Sequence, residues 1–112
     1  MKMAQKYAVY AGSFSVPACS RGGKGLERRI LEAAMDGEPR LVAEYPDPLS
    51  ARCAGAFTAG HWGSRARIDG SEIKGEVVWI EAADDAGTVD IDWIAPWRGD
   101  ARGLILGEEA QA

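Results

Sequence analysis

Histidine occurs once in this chain, cysteine and phenylalanine twice each, and basic residues are outnumbered by acidic ones, 13 to 17. Each scarcity excludes something. Two cysteines, Cys19 and Cys53, cannot build the disulfide framework of a small secreted domain. Together with His61 they form no Cys-x-x-Cys or His-x-x-x-His pair, so no spaced metal motif is present. A net charge of −4 and a pI near 5.0 run against a general nucleic-acid binder, whose signature is a basic stripe. No apolar run approaches the ~18 residues of a membrane span. The opening MKMAQKYAVYAG lacks the apolar core of a signal peptide. The expectation is a reduced, cytoplasmic protein with no metal, no cofactor, no direct nucleic-acid contact and no membrane contact.

At 112 residues the chain suits one domain with a modest core. We expect that domain to span residues 1–107 and residues 108–112 to form a frayed tail. The clearest pattern lies in residues 65–94, which read as a three-stranded meander. Residues 73–81 cluster Val, Trp and Ile, which fit a pleated sheet. Ile73, Val77 and Trp79 share one face with Gly75, and Lys74, Glu76, Val78 and Ile80 the other. Residues 88–94 alternate, with Val89, Ile91 and Trp93 on one side and Asp90 and Asp92 on the other. Asp69-Gly70 suits a tight hairpin turn, and Asp84 to Gly87 a longer loop. Gly75 inside a strand points to a bulge or a close neighbour.

The remaining elements are set by periodicity and breakers. Residues 6–11 read as a strand ended by Gly12-Ser13. Residues 26–35 read as a helix with an apolar stripe at Leu26, Ile30 and Ala33 or Ala34, widened by Leu31 and Met35, and Gly37 is a natural end. Residues 40–45 read as a strand. Asp47 is the expected N-cap and Pro48 the first residue of a second helix over 48–59. Leu49, Cys53 and Phe57 fall on one face of that helix, which makes Cys53 a core residue, although Gly55 weakens it by ~1 kcal/mol. Residues 104–106 read as an edge strand or a docked tail. The fold class is α+β, order β-α-β-α-β-β-β. A mostly antiparallel, possibly mixed sheet of four or five strands would carry one or two helices on one face.

Four constellations could carry function. Residues 12–25 are rich in Gly and Ser and lead into a helix, so Ser13, Arg21, Gly23 and Lys24 could cradle an anion. The spacing is not that of a P-loop, because Lys24 is followed by Gly25 rather than Ser or Thr. Tyr10-Ala11-Gly12-Ser13-Phe14 resembles the start of the nucleotidyltransferase family that includes the phosphopantetheine adenylyltransferases. Such enzymes carry a Gly-Ser-Phe-Asp-Pro loop after the first strand and a histidine opening the next helix. The resemblance implies a phosphate-binding loop, but Ser15 stands where the family has Asp, Pro17 is displaced by one position, and no histidine follows. Without those groups the stretch is an ordinary Gly/Ser connection.

Cys19, Cys53 and His61 form the second constellation, as a nucleophilic pair or as structural residues. The third is acidic: Asp90, Asp92, Asp84, Asp85, Glu76 and Glu81. It reads as a carboxylate site, as a solvated face that guards a sheet edge, or as a docking face for a basic protein. The fourth is aromatic: Trp79 and Trp93 fit the core, while Trp62 and Trp97 sit in Gly- and Pro-bounded turns where Trp often anchors a partner.

The leading expectation is a small acidic, non-catalytic module that binds another protein through Trp62, Trp97, Asp90, Asp92 and Glu76, occluding a basic site on it. Inhibitors and anti-defence or immunity proteins of phages and mobile elements have this size and charge. The alternative is a phosphate- or nucleotide-binding domain, or a small enzyme, built on residues 12–25.

Overall fold

The computed structural model describes residues 6–17, 25–58 and 63–106. The elements are β1 (Lys6–Pro17), α1 (Leu26–Asp36), β2 (Arg40–Tyr45), α2 (Pro48–Thr58), β3 (Ser64–Asp69), β4 (Glu72–Ala83), β5 (Val89–Ile94), β6 (Trp97–Arg98) and α3 (Arg102–Leu106). The first seven keep the expected order. The two additions make a six-stranded, mostly antiparallel sheet and three helices. Residues 104–106 are helical rather than an edge strand, and Ile105 is buried.

β4 is the spine. It pairs along its whole length with β1, from Pro17↔Glu72 to Lys6↔Ala83. Its other edge is shared, β3 taking Glu72 to Glu76 and β5 taking Trp79 to Ala83. The seam falls at Val78. There the N–H donates to Ser64 Oγ at 3.0 Å and the carbonyl accepts from Ala95 N at 2.9 Å. Both backbone groups are therefore satisfied where the ladder changes partner, as burial demands. That explains why a serine, Ser64, lies 1% exposed in the core.

The layers differ from the expected single face of helices. Val77, Val78, Trp79 and Ile80 are all fully buried, and consecutive burial on a strand requires cover on both sides. On one side α1 packs Leu26, Ile30, Leu31 and Ala34 against Phe14, Val77 and Trp79, joined by Ala101 and Ile105. On the other, α2 packs Ala51 against Val9, Ala11, Val78 and Ile80. Each large side chain so covered contributes roughly 1.5–3 kcal/mol.

Local expectations fail where a neighbour overrides them. β1 does not stop at Gly12-Ser13 but continues to Pro17. Gly12 lies under α1, and a β-carbon there would sit 3.1 Å from Ala34 Cβ, so glycine serves close packing and not a turn. At the end of α1, the Gly37 N–H donates to Ala33 O and Ala34 O, while the left-handed conformation falls on Glu38, φ 64°.

α2 begins as expected. Asp47 Oδ1 accepts from Ser50 N at 2.8 Å. Its inward face, however, is Ala51 and Gly55, not Leu49 and Cys53, which are exposed. Small residues face the sheet because Trp93 already fills that layer.

β5 departs from simple alternation. Ile80 pairs Trp93 and Glu81 pairs Ile91, so Asp92 is an extra residue. Such a bulge reverses the facing of the next residues along the strand. Trp93 therefore joins the α2 layer with Ile80, while Ile91 and Ile94 face α1.

Candidate functional site

The α1 side of β5 leaves apolar surface in water. Val89 is 51%, Ile91 40% and Met35 36% exposed. Leu31, Met35, Ile91 and Ile94 line a groove of about 390 Å³ between α1 and β5, with Glu27, Arg28 and Glu32 on the helix side. The groove exists because α1 presents a wider apolar stripe than the sheet beneath it consumes: Leu26, Ile30 and Ala34 are fully buried, and Met35 is left at the margin. Among the described residues β5 pairs only with β4, so its outer edge offers unpaired backbone N–H and C=O groups.

The charges near this edge are partly engaged. Asp92 forms a 3.2 Å ion pair with Arg52 of α2. Asp84 Oδ1 accepts from Ala86 N and Thr88 N, both at 2.9 Å, and so builds the β4–β5 turn. Glu81 accepts the Trp79 indole N–H at 3.0 Å. Asp85 and Asp90 stay exposed. Beside Glu81, Tyr10 stacks on Trp79 with ring centroids 5.8 Å apart. Burial, and after it the charges of Glu81 and Glu44, pushes the Tyr10 hydroxyl above its ordinary range. It stays a neutral phenol at physiological pH, and its ring packs on Trp79.

The expected binding set does not form one surface. Trp97 is 3% exposed, with its ring edge-on to Phe14 and its indole N–H donated to Glu27. It is a core residue, not an exposed anchor. Glu76 lies opposite Ser13 and Arg65, six residues along β4 from the Asp90 partner Ala82, or roughly 20 Å at ~3.3 Å per residue. Of the described members, only Asp90 and Asp92 stay together.

For the anion cradle, Ser13 is in β1 opposite Glu76, so the Gly12-Ser13-Phe14 stretch that carries the family resemblance is strand, not phosphate loop. Trp62, Arg21, Gly23, Lys24, Cys19 and His61 lie outside the described residues.

Sequence reasoning misses two groups. Leu31 and Met35 read as part of the apolar stripe of α1, and Ile94 is given no role, because periodicity finds an apolar face but not how much of it is covered. Arg65, Arg67 and Arg98 are not singled out by any motif, although the Arg-x-Arg spacing of 65 and 67 places two cations on one strand face. Comparison with family models, characterised proteins and solved structures finds no match to the chain. Its function is therefore argued from its own residues.

Proposed function

We propose that the chain is a small non-catalytic protein-binding module that takes an extended segment of a partner along β5. The observation that carries this reading is the conjunction at one edge: unpaired backbone, exposed Val89 and Ile91 beside the α1 groove, and Asp90 on the opposite face. Strand addition would give affinity through main-chain hydrogen bonds, with alternate side chains supplying specificity. Apolar side chains of the incoming strand would enter the groove, and basic ones would meet Asp90. Binding would cover a basic segment of the partner and so inhibit whatever that segment does. The overall charge of −4 favours such a partner and would speed encounter.

The test is affinity capture from the source cell lysate, and then titration of the recovered partner. Ile91→Glu should weaken binding about tenfold or more, since it places an unpaired charge in the groove. Asp90→Lys should weaken it and reduce its salt sensitivity. Leu49→Glu, on the outer face of α2, should leave it unchanged. Binding indifferent to Ile91→Glu would place the contact elsewhere.

A further inference from the structure

α2 covers only part of its side of the sheet. Its strand contacts include β1, β2 and β4, where Val9, Ala11, Val78 and Ile80 are buried. The same strand faces continue, by the period of two, to Ser13 and Ser15 on β1 and to Glu76 and Lys74 on β4. Beside them lie Arg65 and Arg67 on β3, and next to Arg65 lies Arg98 on β6. Half of this face is therefore an apolar layer under a helix, and the other half is a charged surface where Arg65, Arg67, Arg98 and Lys74 meet Glu76, Glu72 and Asp69.

Two adjoining depressions, of about 350 and 500 Å³, share Arg65, Arg67, Lys74 and Gly75. Arg98 closes one, and Ser13 and Glu76 the other. The pairing within them is unusual. Arg67 stands directly opposite Lys74, and Arg65, which faces Glu76 on β4, is in register with Arg98 on its other side. Like charges so placed destabilise a sheet. A chain with more acids than bases has the means to avoid them. Lys74 is neutralised by Asp69 at 3.3 Å and Glu72 at 3.5 Å. Arg65, Arg67 and Arg98 form no ion pair among the described residues. A local rule broken with only part of the charge compensated is expected at a functional site.

The chemistry of the missing partner can be narrowed. Three guanidiniums present planar forks suited to bidentate contact with a tetrahedral oxyanion. A long polyanion fits poorly, because Glu76, Asp69 and Glu72 bound the cations. The ring among the lining residues, that of Phe14, is 6% exposed and packs in the core on the other face. Among the described residues these depressions therefore offer no exposed aromatic platform for base stacking. The depressions are shallow openings on a sheet face, whereas free metabolites are normally enclosed. We propose that Arg65, Arg67 and Arg98 bind a phosphorylated side chain on a partner polypeptide. This site is distinct from the β5 edge and does not depend on it.

The probe is a degenerate peptide library with a fixed central phosphoserine, titrated against the full chain by calorimetry. The same library with serine, inorganic phosphate and a single-stranded oligonucleotide run in parallel. The phosphoserine library should bind about tenfold or more tighter than the serine library and than inorganic phosphate, given the strength of charge-assisted bidentate bonds. Arg65→Ala and Arg98→Ala should each cost about tenfold. Arg65→Lys, which keeps the charge but loses the fork, should recover little of it. Lys6→Ala, at the far end of β1, should change nothing, and circular dichroism checks that every variant is folded. Equal binding of the two libraries, no binding of either, stronger binding of the oligonucleotide, or indifference to both alanine variants in folded protein would each overturn the assignment.

Discussion

The indole of Trp93 lies over Gly55 of α2 so closely that a β-carbon at position 55 would stand 2.6 Å from ring atom Cζ3. Two effects compete in Gly55→Ala. Helix propensity favours alanine by ~1 kcal/mol, while overpacking of this kind costs about 1–3 kcal/mol. Trp93 is held between α2 and Ile80, so the clash should win and chemical denaturation should show a net loss of about 1 kcal/mol. The diagnostic measurement is the sign in a second background. With Trp93→Leu in place the ring is gone, and Gly55→Ala should become stabilising.

Acid should loosen the start of α2. Hydrogen bonds from the Ser50 backbone N–H, and then from its hydroxyl, hold the Asp47 carboxyl below its ordinary range. A folded pKa below the unfolded one contributes stability that is present above the unfolded pKa and lost as pH falls through the folded value. The loss should therefore appear below the ordinary aspartate value of 3.8. Protection of the Ser50 and Ala51 amides against exchange, relative to the intrinsic rate at each pH and measured from about pH 5 downward, should fall in the native protein. Asp47→Asn, which keeps an accepting oxygen without a titrating group, should flatten that limb. An unchanged pH profile in Asp47→Asn would show that the cap does not set it.

Cys53 should be chemically accessible. It is exposed on α2, although helical spacing puts it on an apolar stripe. In a Cys19→Ser background, a thiol reagent should modify Cys53 in native protein at a rate within about tenfold of the denatured rate, since exposure and thiolate fraction govern the reaction. Protection by several orders of magnitude would mean that this face of α2 is covered in solution.

Much of the fold was legible, and the reasons are local. The Asp69-Gly70 turn appears as a hairpin with Gly70 at φ 64°, because the left-handed region is a property of glycine itself. The α1 stripe and the Asp47 cap are likewise set within a few residues. Alternation correctly gives Val89 and Ile91 a common face. Trp93 is separated from them by the bulge at Asp92, which depends on how β5 registers against β4. The candidate sites were less legible. Asp90 and the exposed strand are visible in sequence, but the groove needs α1, distant in the chain, to be laid beside it.

Sequence alone determined the element order through β5, the α+β class, the turns and the cap, since each depends on side chains within one turn or one hairpin. Tertiary structure decided three things. It set α1 and α2 on opposite faces, because Val77 to Ile80 demand cover on both. It took Trp97 into the core, where Glu27 accepts its indole N–H and Phe14 meets its ring. And it brought Arg98 beside Arg65 through the β3–β6 pairing. Each is a matter of register and layer between remote segments, where burying apolar area and satisfying backbone groups outweigh local preference.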